Sequence, residues 1–462
     1  MENWSGKQVI VIGAARQGTA LSRYLAGKGA QVTLTDMRPA EELPADLAEL
    51  QKFGIQLQLG GHPLELLEGA DCICISGGVP LTIPFIQAAR QRGIPLSNDS
   101  QIFLEACPAQ VIGITGSAGK TTTTALVGLM AQKHFEMKHN GHRAWVGGNI
   151  GNPLIEQVDQ IDEDDLVVLE LSSFQLELMT RSPQIAAVLN ITPNHLDRHG
   201  SMSAYMAAKS HIVNYQHAGD VAVLNREDPA SWSLTNQLKS DLLSFGFHKP
   251  ETGQNGTYVE KEAIWLQIGR QNVKMLPLEW IQLRGVHNQA NVLAACAIAA
   301  AASMALPAIQ TAVEEFTSIP HRLEFVRTLN GADWYNDSIA TAPERTIAAI
   351  NAFEGPLVLL LGGRDKDLPW QELAQLVHRR VRAVVLFGEA ADLIQKALGP
   401  LKKGETLQVI RRVSTLEEAV QQAANLAQPG DSILLSPGGT SFDAFKDFEE
   451  RGEYFRKLVN AL

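Results

Sequence analysis

The chain lacks the cysteine pattern of a disulfide scaffold or of a zinc site. It has four cysteines, Cys72, Cys74, Cys107 and Cys296, and no C-x-x-C pair. Cys72 and Cys74 alternate in the apolar run Cys72–Ile75, so they share one face of an expected strand and read as inert buried thiols. That usage suits a reducing compartment, and a cytoplasmic location is expected. Long apolar runs are missing too. The most apolar stretch, Val292–Leu306, is alanine-rich, interrupted by Ser303 and shorter than the ~20 residues of a bilayer span. Met1–Lys7 carries no apolar signal core. No membrane partner is therefore expected. Positive charge is scarce: 39 Lys and Arg stand against 50 Asp and Glu, a net charge of −11. A general nucleic-acid surface needs a basic stripe, so nucleic acid is excluded as a partner. A polyanionic ligand must instead be caught by loops, helix starts and single cations. No repeat with a period of about 20–50 residues occurs, which excludes a solenoid.

Against these absences stands one stretch around which the rest is organised. The apolar run Val111, Ile112, Ile114 enters a loop holding Gly113, Gly116 and Gly119, followed by Lys120, Thr121 and Thr122 and then a helical segment. Glycines let backbone N–H groups turn inward on phosphate oxygens. The helix start adds its positive end, the lysine a mobile charge, and the hydroxyl a ligand suited to Mg²⁺. The strict phosphate-loop pattern requires glycine at 114, where this chain has Ile114. ATP and Mg²⁺ are expected here, with Gly116, Ser117, Ala118, Gly119, Lys120, Thr121 and Thr122 as the cradle.

Upstream, Val9–Ile12 leads into Gly13-Ala-Ala-Arg-Gln-Gly18, a helix, and a strand ending at Asp36. This opens a dinucleotide-type βαβ unit. Ala15 replaces the second glycine of that fingerprint and Arg38 follows the acidic position, so a nucleotide-phosphate site fits better than a nicotinamide one. Downstream, Leu166–Glu170 is a buried-type strand ending in a carboxylate that can reach a metal held by phosphates and Thr121. His195 follows another strand end. His195 and His199 are four apart but lie between Pro193 and Gly200, which argues against a helical zinc pair. Lys209, in Tyr205–Ser210, reads by itself as a solvated lysine. Residues 245–280 read as short antiparallel strands. From Ile319 onward, strands at 357–361, 383–387 and 432–435 alternate with helices. The chain is thus α/β throughout, with all-apolar strands marking parallel sheets covered on both faces.

Taken together, Thr115–Thr121, Glu170-Leu-Ser-Ser173, Asn190-Ile-Thr-x-x-His195-Leu-Asp197, Lys209, His287-Asn-x-x-Asn291, Pro320-His-Arg322, Asn336-Asp-Ser338 and Leu435-Ser-Pro-x-x-x-Ser441-Phe-Asp443 resemble the Mur ligase family, in order along the whole chain. The resemblance implies three domains: a Rossmann-like UDP-substrate domain over 1–107, a central P-loop ATPase-like parallel sheet over 108–318, and a Rossmann-like amino-acid domain over 319–462. The short N-terminal unit and Ser441-Phe-Asp-x-Phe445-Lys-x-Phe448 are similar to the branch that adds D-glutamate to UDP-N-acetylmuramoyl-L-alanine through an acyl phosphate, in peptidoglycan precursor synthesis. It further implies a carbamylated Lys209, and two Mg²⁺ ions, one at Thr121 and one at Glu170, His195 and the modified lysine. Asn288 and Asn291 fall at adenine positions, Arg322 at a phosphate and Asp337 at the ribose. Arg16, Gln17, Asp36, Arg38 and Gly78 fall at the UDP moiety, and Asn149 at the acyl substrate. Thr341, Lys366, Ser441 and Phe448 fall at D-glutamate, with Ser441 ahead of an expected helical segment Phe442–Phe448. Ser441 would equally serve as a plain helix cap. Ile339 stands where the family often has lysine. A monomer acting on small molecules is expected. The rivals are a folylpolyglutamate synthase or diamino-acid-adding relative, a nicotinamide-dependent oxidoreductase built on residues 9–36, and a non-catalytic nucleotide-binding module.

Overall fold

The computed structural model describes the chain apart from residues 1–2, 44–46, 150–152, 284, 318 and 367 and the side chain of Asp197. The expected domain boundary at Ser318 and the Asp197 side chain of the family motif therefore lie outside the described residues. Among the described residues there are three sheets, and the chain divides into two compact units, Met1–Gln282 with Val286–Phe316, and Leu283–Gly285 with Thr317–Leu462. Among the described residues no helix is long and apolar enough to cross a membrane.

The first unit carries two sheets. β1 (Gln8–Ile12), β2 (Gln31–Asp36), β3 (Gln56–Leu59), β4 (Cys72–Ile75) and β5 (Leu96–Ser97) form a parallel sheet of order β3-β2-β1-β4-β5. The chain winds one way from β1 to β2 and the other way to β4. The crevice at the carboxyl end of β1 is therefore a switch point where a ligand can sit. Cys72 and Cys74 are buried on one face of β4, as their alternation predicts, while Ile73 and Ile75 pack on the other face.

The second sheet has the order β14-β13-β12-β11-β10-β9-β6-β8-β7. Its strands are β6 (Gln110–Thr115), β7 (Ala144–Gly148), β8 (Leu166–Glu170), β9 (Ile185–Val188), β10 (Val221–Asn225), β11 (Asp241–Phe245), β12 (Gly256–Glu260), β13 (Ala263–Ile268) and β14 (Gln271–Pro277). β6 to β11 are parallel, and β12 to β14 close the edge as the antiparallel ribbon expected over 245–280. β6 lies between β8 and β9, so the loop after β6 is also at a switch point. One apolar cluster runs from Val9 and Val11 of β1 through Val111 of β6 to Val167 of β8 and Leu224 of β10. The ion pairs Arg23–Glu156 and Lys28–Asp159 fasten the same two layers at the surface.

The second unit is a six-stranded sheet of order β15-β16-β20-β17-β18-β19. β17 (Leu357–Gly362), β18 (Val381–Phe387) and β20 (Ser432–Gly438) are parallel and match the expected strands. β15 (Glu324–Leu329), β16 (Ala332–Asn336) and β19 (Val409–Arg412) are additional. β15 and β16 form an antiparallel hairpin through Asn330 and Gly331, both with positive φ. Separate apolar clusters cover the two faces of this sheet. The expected helical segment Phe442–Phe448 is not formed. Residues 442–447 are turn and bend, and the helix runs from Phe448 to Ala461. Asp447 supplies the reason: its side chain accepts from the Glu450 N–H and caps the helix there. Ser441 therefore caps nothing, and its carbonyl closes one turn with Ala444 and Phe445.

Candidate active site

The helix Lys120–Lys138 starts directly from β6 through Gly119, whose φ is +84°. A Cβ there would stand 2.3 Å from Asn291 Oδ1, so only glycine serves on both counts. Asn291, on the helix Val286–Ala301, donates to Asn288 Oδ1 at 3.1 Å. Both expected adenine-side residues thus flank the phosphate loop. The loop is held from the next strand end. Ser117 N–H donates to the Asn190 carbonyl at 3.0 Å, Ala118 N–H donates to Asn190 Oδ1 at 2.9 Å, and Ser117 Oγ lies 3.0 Å from the Tyr205 hydroxyl. Lys120 folds back and donates to the Gly116 carbonyl. Asn190 and Tyr205 as loop holders were not singled out from the sequence. Asn190 sits inside a recognised motif, but nothing in its spacing shows that its amide faces the loop.

Glu170 ends β8 with its side chain 2% exposed overall. Thr121 Oγ1 donates to Glu170 Oε2 at 2.8 Å, and Asn149 Nδ2 donates to Glu170 Oε1 at 3.0 Å. The Asn149 N–H also donates to the Glu170 carbonyl at 2.8 Å. This approach needs Gly148, where a Cβ would meet that carbonyl at 2.3 Å. The helix-start hydroxyl and the strand-end carboxylate therefore converge on one point beside the phosphate cradle, a donor set of hard oxygens suited to Mg²⁺.

Lys209 is not the solvated lysine its surroundings in sequence suggest. It is 1% exposed, on the helix Met202–Asn214, and donates to Thr115 Oγ1 at 3.1 Å and to the Gly116 carbonyl at 3.0 Å. Burial, then the charge of Lys120, push its ammonium well below the ordinary lysine range, against an opposing pull from Glu170. The amine is thereby biased toward its neutral, nucleophilic form. His195 is exposed at a positive φ of 53° and packs its ring against Phe174, centroid to centroid 5.2 Å. Among the described residues no group of three or more His, Cys, Asp or Glu side chains could hold a metal. The expected set offers two such residues, Glu170 and His195, and takes its third ligand from Lys209.

In the N-terminal sheet a cavity of about 500 Å³ opens at the switch point and is lined by Arg16, Gln17, Asp36, Arg38 and Gly78, with Asn149 from the second sheet. All five expected UDP residues thus meet in one place. The Asp36 carboxylate accepts from the Ala14 N–H at 2.8 Å, the Arg38 N–H at 2.9 Å and the Arg38 guanidinium at 2.9 Å and 3.0 Å. Burial alone would raise its pKa, but these donors outweigh it and hold the carboxyl at about 2. His62 also lines the cavity, with Nδ1 2.9 Å from Thr35 Oγ1. It lies in a loop of no recognisable motif and was not identified from sequence.

In the second unit, Asp337 and Thr341 follow β16, Lys366 follows β17 and Ser441 follows β20. Asp337 is buried. It accepts from Ser436 Oγ at 2.8 Å and from the Leu323 N–H at 3.2 Å. Burial raises its carboxyl to about 7, over the opposing effects of those donors and of Arg322 and Arg345. Arg322 is exposed. The expected Phe448 contributes its carbonyl to Ser338 Oγ at 2.8 Å. Arg451, unpredicted, is fully buried and holds the two loops together, donating to Ser338 Oγ and to the carbonyls of Ser338, Gly439 and Thr440. Its position among acidic helix residues gave the sequence reading no signal of this.

A phosphate loop backed by a buried carboxylate and a buried lysine, with a cavity at a second switch point in the same unit, defines an ATP-using ligase of the Mur type. The chain belongs to the Mur ligase family. Family models match in chain order: the MurD-like N-terminal domain over residues 7–98, the middle domain over 114–299 and the glutamate ligase domain over 321–439. Mur ligases use ATP with Mg²⁺. The chain is 43% identical over 457 residues to the UDP-N-acetylmuramoylalanine–D-glutamate ligase of Symbiobacterium thermophilum, covering 99% of this chain and 98% of the relative. It is 38% identical to the enzyme of the same name from Acetivibrio thermocellus over 99% and 97% of the two chains. Among solved structures, the UDP-N-acetylmuramate–alanine ligase of Thermotoga maritima shares the fold with a TM-score of 0.55 at 19% identity, over 98% of this chain and 99% of that one.

Proposed function

We propose that this protein is an ATP-dependent peptide ligase that joins D-glutamate to UDP-N-acetylmuramoyl-L-alanine through an acyl phosphate, in peptidoglycan precursor synthesis. The observation that carries it is the convergence of Thr121 and Asn149 on the Glu170 carboxylate, beside the phosphate loop and in the unit that also holds the Arg16–Asp36–Arg38 cavity. Relatives of that name match over nearly their full length. In this reading residues 1–107 take the UDP moiety, 108–318 take ATP and 319–462 take the amino acid. Arg16, Gln17, Asp36, Arg38 and Gly78 hold the UDP moiety. Asn149 orients the alanyl carboxylate, and Asn288, Asn291, Arg322 and Asp337 hold the nucleoside and phosphates. Mg²⁺ supplies charge cancellation where two anions must meet. Thr121 and Glu170 would hold one ion, and Glu170, His195 and carbamylated Lys209 a second. Lys120 stays preorganised on the phosphate side. The neutral Lys209 amine adds to CO₂, forming an N–C bond and losing a proton, which turns a buried cation into an anion. The protein acts as a cytoplasmic monomer on small molecules.

The nicotinamide reading is disfavoured by Ala15 in place of the second glycine of the fingerprint and by Arg38, whose guanidinium sits on the Asp36 carboxylate. The test is phosphate release from ATP with UDP-N-acetylmuramoyl-L-alanine and a panel of amino acids. D-Glutamate should be used far better than L-alanine, L-lysine or meso-diaminopimelate. Equal use of any of these, or nicotinamide-linked turnover without ATP, refutes the reading.

A further inference from the structure

The four-residue spacing between His195 and His199 has a use other than a shared metal. Residues Leu196–His199 form one helical turn, entered at His195 with φ +53° and left at Gly200 with φ +76°. A single turn is not stable by itself, and a left-handed conformation at a residue with a Cβ has to be held from outside. The His195 carbonyl accepts from the N–H groups of Arg198 and His199, at 3.1 Å and 3.0 Å. His199 carries the turn into the core: its side chain is 2% exposed, whereas His195 is exposed. The His199 ring lies parallel to that of Phe174, with 3° between planes and 5.1 Å between centroids. Its Nε2 is 3.0 Å from Ser173 Oγ, and Tyr205 packs on it at 5.3 Å. The Phe174 ring also meets the His195 ring at 5.2 Å and the Arg198 guanidinium at 4.8 Å.

Phe174 is itself fixed. It lies in the short helix Ser173–Leu176, whose start is closed by reciprocal bonds between Ser172 and Gln175. That helix follows Glu170 directly on the same run of chain. His195 instead follows β9, and β6 lies between β8 and β9 in the sheet. Neither strand alone therefore sets where His195 stands relative to Glu170. The two runs of chain meet at the stack of His199 on Phe174.

We propose that His199 is a positioning residue: its ring, stacked on Phe174, fixes His195 relative to Glu170 and so shapes the site of the second metal ion. This rests on the reading of Glu170, His195 and the modified Lys209 as that site. The stack demands a flat ring at 199. A flexible side chain there leaves the turn free to pivot, and with it the imidazole at its start.

The test compares the full-length wild type with His199→Gln, which keeps a polar group for Ser173 and loses the ring, and with His199→Phe, which keeps a ring and loses the polar contact. His199→Leu replaces His199→Gln if the latter does not fold, with folding read from the melting transition. Two measurements are made on CO₂-equilibrated protein. Without metal, the proton resonance of the His195 imidazole, assigned by its disappearance in His195→Gln, reports the ring current of Phe174. With a non-hydrolysable ATP analogue, Mn²⁺ binding is followed by the paramagnetic resonance of the free ion. The ringless variant should move the His195 signal toward that of free histidine and lower the affinity for the second Mn²⁺ by about tenfold or more. The first Mn²⁺ and the analogue should bind within about twofold of wild type, because Asn190 holds the phosphate loop independently. His199→Phe should keep both measurements near wild type even where it melts lower. An unmoved His195 signal in a folded ringless variant, or equal losses in both kinds of variant, overturns the inference and leaves the ligase reading intact. A wild type that binds a single Mn²⁺ or fails to ligate D-glutamate overturns the reading beneath it, and the metal-free signal still decides whether His199 positions His195.

Discussion

At the residue scale, two buried titratable groups define what the sites demand. Lys209 is a lysine without water, and the cost of charging it there is the reason its amine is available for chemistry. With Lys209 carbamylated as proposed, Lys209→Ala should lower turnover on the order of 10²-fold or more, since that anion is lost beside the phosphoryl centre. Short-chain carboxylic acids should partly restore the rate by supplying that anion. Mass measurement of CO₂-equilibrated active enzyme that finds only unmodified Lys209 would count against the carbamate. Asp337 makes a different prediction. Its folded-state pKa of about 7 lies above that of an unfolded aspartate, so ionising it opposes folding. The stability of the protonated form is fully present below about pH 4 and lost as pH rises through about 7. Asp337→Asn should therefore melt higher than wild type at pH 8, by a few kcal/mol of stability, and the difference should vanish toward pH 4. A constant difference across that range would refute the assignment.

At the element scale, the phosphate loop shows what a sequence can carry. The order strand, glycines, Gly-Lys-Thr, helix fixes local geometry through φ and hydrogen-bond needs alone, so β6 and the Lys120–Lys138 helix were legible. So was the all-apolar β8 with Glu170 at its end. The hairpin β15–β16 was not, because Glu324–Leu329 and Ala332–Asn336 mix polar and apolar residues without clean alternation. The supposed helix at Phe442 failed for a related reason. The helix was expected directly after Ser441, and the stronger signal, Asp447 three residues before Glu450, lay further along. Burial of Lys209 was invisible as well, since it depends on strands nearly a hundred residues away. Gly119 allows a sharp check of the loop. Gly119→Ala must bear an αL alanine, about 1–2 kcal/mol, and a Cβ crowding Asn291. It should lower the melting temperature and weaken ATP binding by about tenfold or more, as read by titration calorimetry. Wild-type affinity would show that the loop does not hold the nucleotide in this shape.

At the scale of the whole molecule, the second unit has its own sheet with an apolar cluster on each face. A fragment spanning 317–462 should fold alone and melt cooperatively, as an independent core allows. A non-cooperative melt would contradict that. The first unit behaves in the opposite way, because β1 and β6 contribute to a single core and Gln17 Nε2 reaches the Gly148 carbonyl at 3.3 Å. Asn149 belongs to both places at once, lining the N-terminal cavity and gripping the strand-end carboxylate beside the phosphate loop. In the proposed function the separation between the two nucleotides is consequently settled when the chain folds. For these reactants, encounter becomes a matter of effective molarity: a carboxylate tethered to a seated uridine diphosphate has little translational freedom left to lose on meeting a seated triphosphate.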